Sequence, residues 1–175
     1  MSKRAATPAP PAGSADVRRF GLRFFLALLG VSVFAWAVAL PNQLGPFQRF
    51  LARSASLIAG LAGSRSPVKG SIIEIQVVSI DINFECTGIY VLLILFTFLF
   101  AYPASWRARL AGMAIGAGGL TLINVLRIAF LIRVAELRPM LFDYFHEYVW
   151  QGIFLVLVIA YAMYWVERLQ ERAPA

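Results

Sequence analysis

Four apolar runs, at residues 24–40, about 87–102, 110–132 and about 148–166, constrain this sequence more than any motif in it. A hydrocarbon core about 30 Å thick calls for roughly 17–25 apolar residues in a helix. All four runs reach or approach that length, and most of their flanks carry arginine. Of the 175 residues, 60% are hydrophobic and 14% charged, whereas a soluble domain of this size needs a much larger polar shell. The expected fold is an all-α membrane protein, a four-transmembrane helical bundle. Residues 18–172 form one membrane-embedded domain in this reading. Residues 1–17, rich in Ala, Pro, Ser and Gly and without apolar periodicity, read as a disordered cytoplasmic tail.

The first run lies near the lower limit for a span, and Ala37-Val38-Ala39 imitates a small-residue cleavage site. It is nevertheless longer than a usual signal-peptide core and carries Trp36 near its end, so a retained anchor is expected.

Between Pro41 and Glu85 the chain turns polar and irregular. Phe47, Phe50, Leu51, Leu57, Ile58 and Leu61 recur at helical spacing, with Arg49, Arg53 and Ser56 on another face. That piece is too short to span and reads as an extracytoplasmic amphipathic helix in the interface. After the break at Ser64-Arg65-Ser66-Pro67, Ile73, Ile75 and Val77 alternate with polar residues. Ile80, Ile82 and Phe84 then do so in the opposite phase. Two short strands or one bulged strand would produce that shift, a short β element before the second span. In the third run Gly112, Gly116 and Gly119 offer small faces for close helix contact.

Charge sets the orientation. With the N-terminus inside, the inner segments hold nine basic residues (Lys3, Arg4, Arg18, Arg19, Arg23, Arg107, Arg109, Arg168 and Arg172) and three acidic ones. The outer segments are nearly balanced, as the positive-inside rule expects, and both termini are cytoplasmic. The net charge of +7 comes from these flanking clusters and forms no basic stripe interleaved with aromatics, which excludes nucleic acid as a partner. The lipid bilayer is the expected surrounding.

This topology brings three reactive side chains to one depth at the outer boundary. Cys86 starts span two, Arg127 lies below the outer end of span three, and His146 precedes span four. A lone cysteine is most often a small buried hydrophobe. At a helix N-terminus, however, it meets the positive end of the dipole and free amides, which favour the thiolate and can donate to an oxyanion. Thr87 and Gly88 follow it, the glycine permitting close backbone approach. Arg127 in an apolar helix costs at least about 2.5 kcal/mol at mid-bilayer unless it snorkels. Asn124, three residues earlier on the same face, argues for a polar interior instead. Arg133 and Arg138 read as ordinary flanking charges. His146 is the sole histidine and the natural general acid/base, with Glu147, Asp143 or Glu85 to orient it. One cysteine and one histidine leave no conventional metal site, and no cofactor is called for.

Glu85-Cys86-Thr87-Gly88-Ile89, Asn124-x-x-Arg127-Ile128 and the outward His146, in this order, resemble the exosortase/archaeosortase family of membrane-embedded transpeptidases. The likeness runs from about Gly70 to Val166. One span precedes the cysteine where many members have more, so the chain resembles either a short type, such as the exosortase H kind, or a family member without a defined substrate. The resemblance implies catalytic Cys86, Arg127 and His146 in a bacterial inner membrane. It also implies membrane-anchored protein substrates bearing a C-terminal sorting signal: a short motif, a hydrophobic helix and a basic tail. The competing readings are a non-catalytic membrane assembly or scaffold subunit and a thiol acyltransferase. A rhomboid-like serine protease lacks a suitably placed serine, and a channel lacks a polar path across the membrane.

Overall fold

The computed structural model describes residues 14–37, 43–75 and 78–171. Most of the segment read as a tail, residues 1–13, lies outside them, as do Val38, Ala39 and Val77. Helix α1 (Ser14–Ala37) is followed by α2 (Gly45–Leu61) and by strands β1 (Val68–Lys69), β2 (Ile72–Glu74) and β3 (Ser79–Asp81). A 3₁₀ turn (Glu85–Thr87) then leads into α3 (Ile89–Ala101), α4 (Trp106–Leu137), a π-helical segment (Tyr144–Val149) and α5 (Trp150–Glu171).

Three helical stretches are long and apolar enough to cross a membrane: Val17–Ala37, Trp106–Leu137 and Pro139–Glu171. The run expected as a further span differs. It forms a helix of only 13 residues, about 20 Å at the helical rise and short of the hydrocarbon thickness. Its ends are fixed by backbone chemistry. Gly88 at φ +70° breaks the chain before Ile89, and Tyr102, extended ahead of Pro103, closes the other end. Ser105 then caps α4, accepting from the Ala108 amide at 3.4 Å.

Two cores stack end to end. In the first, α3, the early part of α4 and α5 interlock through Leu92, Leu95, Leu99, Leu120, Phe154 and Val158. Glycines allow this approach at two of the three expected positions. A Cβ on Gly112 would sit 2.6 Å from Trp165, and one on Gly116 would sit 2.6 Å from Leu95 and 2.8 Å from Tyr161. The Tyr161 hydroxyl donates to the Gly112 carbonyl at 2.6 Å. Gly119 has nothing within 4 Å of such an atom and makes no close contact. Helix α1 leans on α3 through Phe20 and Phe24 against Phe98, with none of its apolar window buried.

The second core joins α2, the sheet and the late part of α4. Of the residues expected on the apolar face of α2, Leu51 is buried and Phe47 and Ile58 pack against this core, and the contact is completed by alanines. Leu51, Ala52, Ala55 and Ala59 are buried against Val125, Ile128, Ala129, Ile132 and Ala135, while Leu57 and Leu61 are 71% and 86% exposed. Alanine on both helices lets the backbones come close, and that complementarity outweighs side-chain bulk. The loop after α2 is tied to α4 by the Ser64 hydroxyl donating to Glu136. Arg133, read as a bare flanking charge, pairs with the same Glu136 at 2.6 Å.

The sheet is antiparallel in the order β1-β2-β3, with Val68 opposite Ile73 and Ile73 opposite Ile80. Two strands around a turn, and not one bulged strand, explain the phase shift. The sheet buries Ile73, Ile75, Ile80 and Ile82 and delivers the chain to Cys86.

Candidate active site

Cys86 belongs to the second core, and Phe154 and Val158 to the first; Asn124 and Arg127 stand on α4 where the two meet. All three residues expected to converge do so. Cys86 Sγ lies 3.4 Å from His146 Nε2. Arg127 Nη2 donates to the His146 carbonyl at 3.4 Å, and Nη1 to Asn124 Oδ1 at 3.4 Å. Asn124 Nδ2 donates to the Cys86 carbonyl at 2.9 Å. The two ends of the Asn124 amide therefore hold the nucleophile's backbone and the guanidinium together.

The local chain explains the placement of the thiol. Asn83 receives the Cys86 amide on its side-chain oxygen at 3.1 Å and on its carbonyl at 3.2 Å, forming the 3₁₀ turn. The Thr87 hydroxyl donates to the Phe84 carbonyl at 2.6 Å, and the Thr87 amide bonds the same carbonyl at 3.2 Å. These bonds commit the Cys86 and Thr87 amides to the turn. Thr87 is a turn-former. Gly88 is required for its left-handed backbone; a Cβ there would meet Asn124 at an ordinary 3.6 Å.

The electrostatic expectation changes too. Cys86 stands in the 3₁₀ turn that precedes α3. Burial pushes the Cys86 pKa above its ordinary value, Arg127 and the Asn83 bond oppose that in part, and Glu85 and Asp81 add to it. A thiol in this state needs a base, and the His146 imidazole is the group in contact with it.

His146 is held by stacking. Its ring lies parallel to Phe142, with centroids 5.5 Å apart and planes 9° from each other. None of Glu85, Asp143 or Glu147 hydrogen-bonds the ring among the described residues. The π-helical turn around His146, a feature frequent at functional sites, turns the imidazole toward the thiol. Periodicity gave no sign of Asn83, Phe142 or that turn; only a cluster of aromatics around His146 hinted at stacking.

A cavity of about 450 Å³ opens beside this group, lined by Glu85, Gly88, Arg127, His146, Trp150 and Phe154 among others. Arg127 is only 7% exposed, its guanidinium carbon lies 5.7 Å from the centre of the Phe154 ring, and its Nε has no hydrogen-bond partner. The Trp150 indole nitrogen is likewise buried without a partner. Among the described residues no cluster of His, Cys, Asp and Glu is suited to a metal.

The model of the transmembrane exosortase family (Exosortase_EpsH) matches residues 12–166, nearly the whole chain. This protein belongs to the exosortase family. No curated protein and no solved structure matches it. The family match covers α1 as well as the Cys86, Arg127 and His146 segments, so the exosortase assignment extends over the helices that build the cavity.

Proposed function

We propose that this exosortase-family chain is a cysteine transpeptidase or protease that cleaves a C-terminal sorting signal of exported, membrane-anchored proteins. The observation that supports this best is the 3.4 Å contact of Cys86 Sγ with His146 Nε2, backed by Arg127 on the same histidine's carbonyl.

In this mechanism His146 Nε2 accepts the thiol proton as Sγ attacks the scissile carbonyl. The carbonyl electron pair moves to oxygen, and Arg127 stabilises the resulting oxyanion in place of the occupied turn amides. Collapse re-forms the carbonyl, breaks the C–N bond, and leaves a thioester on Cys86 while His146 protonates the departing amine. Water, an amine or a glycan lipid then attacks the thioester and restores the thiol. Asn124 positions the nucleophile and the guanidinium and touches no reacting atom.

The same reading assigns topology. Helix α3 with its flanking turns completes a fourth crossing of a bacterial inner membrane, both termini are cytoplasmic, and the site and α2 face outward. About 27 Å separate Asn124 from the start of α4 at the helical rise, and the chain from Cys86 to Ser105 covers that same descent. Expression of Cys86→Ala, Arg127→Ala and His146→Ala beside a cognate substrate tests the assignment. Processing should stop for Cys86→Ala; wild-type processing by that variant would remove Cys86 as nucleophile.

A further inference from the structure

Helix α5 is apolar from its first turn almost to its last, and Gln151 breaks the pattern. Between Trp150 and Val166 it is the only side chain carrying a carboxamide or a charge. An amide group set among lipid tails forfeits the hydrogen bonds that water would supply, so a polar residue in a span belongs against a polar space. Gln151 meets that condition: it is exposed and lines the cavity together with Glu85, Arg127 and His146. Among the described residues it makes no hydrogen bond. The backbone explains how it comes to share a wall with His146. Five residues advance a regular α-helix by about 500°, which would leave the two side chains roughly 140° apart. The π-helical segment Tyr144–Val149 is wound by bonds that span five residues, as from the Trp150 amide to the Phe145 carbonyl. One such wider turn brings His146 and Gln151 to the same side of the helix, where both line the cavity.

We propose that Gln151 is a substrate-binding residue whose carboxamide pairs with a main-chain amide of the polypeptide that reaches Cys86. The inference rests on the peptidase reading above and deepens it by one specific contact. Chemistry identifies the partner. A carboxamide offers a donor and an acceptor side by side, as a peptide group does, whereas a guanidinium only donates and a carboxylate only accepts. A peptide drawn into this mostly apolar cavity gives up the water on its N–H and C=O groups, which then need partners. The small sheet does not supply them, because no residue of β1, β2 or β3 lines the cavity. Position fixes which amide is meant. Gln151 stands at most about 7.5 Å along the helix from His146, the reach of about two residues of extended chain. The paired amide therefore lies about two residues from the scissile carbonyl, and Gln151 binds main chain without touching the reacting atoms.

The test uses the full chain in detergent and a synthetic peptide bearing the cleavage sequence of the polypeptide that wild-type Cys86 retains as a thioester. Thioester formation is the readout. Gln151→Met keeps the length of the side chain and removes both hydrogen-bonding groups. It should raise KM about tenfold and leave kcat within about twofold, the pattern of a lost ground-state contact. The peptide's main-chain amides are then replaced by esters one at a time, away from the scissile bond. At one position, about two residues from that bond, the ester should weaken binding to wild type and cost Gln151→Met nothing further. A merely structural role for Gln151 predicts ester penalties that are equal in the two proteins at every position, and that result overturns the inference. An unchanged KM in Gln151→Met does so as well. Gln151→Leu serves in the same comparison if Gln151→Met lowers the Tm. The two readings fail differently. Absence of any thioester on wild-type Cys86 rejects the peptidase reading and this inference with it, whereas a thioester that Gln151→Met forms as readily as wild type rejects the Gln151 contact alone.

Discussion

Asn124 reaches across 38 residues of sequence to hydrogen-bond the main-chain carbonyl of Cys86 at 2.9 Å. The same side chain, 1% exposed, accepts from Arg127. A side chain that serves two partners in a buried site has no neutral replacement. Asn124→Leu should leave the Cys86 carbonyl and one guanidinium nitrogen unpaired. A buried unpaired group costs about 1–3 kcal/mol, so the variant should unfold at lower temperature in detergent and process substrate more slowly. An unchanged Tm together with unchanged turnover would show the hydrogen bond to be incidental.

Alkylation reads the state of the thiol. Because burial raises the Cys86 pKa, the protonated form persists at neutral pH and the thiolate accumulates only above the ordinary thiol value of 9.0. The rate of iodoacetamide labelling should therefore rise with pH along a curve whose midpoint lies above that value. Arg127 opposes the burial effect, so Arg127→Gln should move the midpoint further upward. A midpoint below 9.0 would mean a preformed thiolate and no need for a base.

His146→Ala removes the base in contact with Sγ. Loss of a general acid/base typically costs 10²–10⁴-fold in rate, and the deficit should shrink at high pH, where the thiol ionises unaided. Single-turnover thioester formation measured against pH separates this from a folding defect, which would persist at every pH.

Glycines in α4 make a contrasting pair. Gly116→Ala would place a Cβ 2.6 Å from Leu95 and 2.8 Å from Tyr161, whereas at Gly119 nothing lies within 4 Å. Overpacking costs about 1–3 kcal/mol, and Gly-to-Ala in an open helix position gains up to about 1 kcal/mol. Thermal unfolding should show Gly116→Ala less stable than wild type and Gly119→Ala as stable or more so. Equal effects at the two sites would contradict the packing of α3 and α5 against α4.

Gly88 is constrained by its own backbone. At φ +70° an alanine costs about 1 kcal/mol, and asparagine tolerates the conformation better. Gly88→Asn should retain more stability than Gly88→Ala, a ranking that thermal unfolding can check.

Sequence alone determined that the chain is a membrane protein, because uninterrupted apolar runs of that length have no other stable setting. It also led to the expectation that Cys86, Arg127 and His146 share a depth. Consecutive helices joined by short connections must run antiparallel, so alternate ends meet at one level. The family motifs were legible for the same reason: reactive and charged residues are conspicuous against an apolar background.

Tertiary structure decided what apolarity cannot encode. Lipid is as apolar as leucine, so hydropathy does not tell a lipid-facing residue from a packed one. For that reason the alanine face of α2, and not Leu57 or Leu61, forms the contact, and Gly112 and Gly116, but not Gly119, receive side chains. The protonation state of Cys86 depends on how many neighbours displace water from it, and those neighbours come from the sheet, α4 and the π-helical turn, distant in sequence. The cavity beside His146 is a gap between several elements, and no single stretch of sequence contains it.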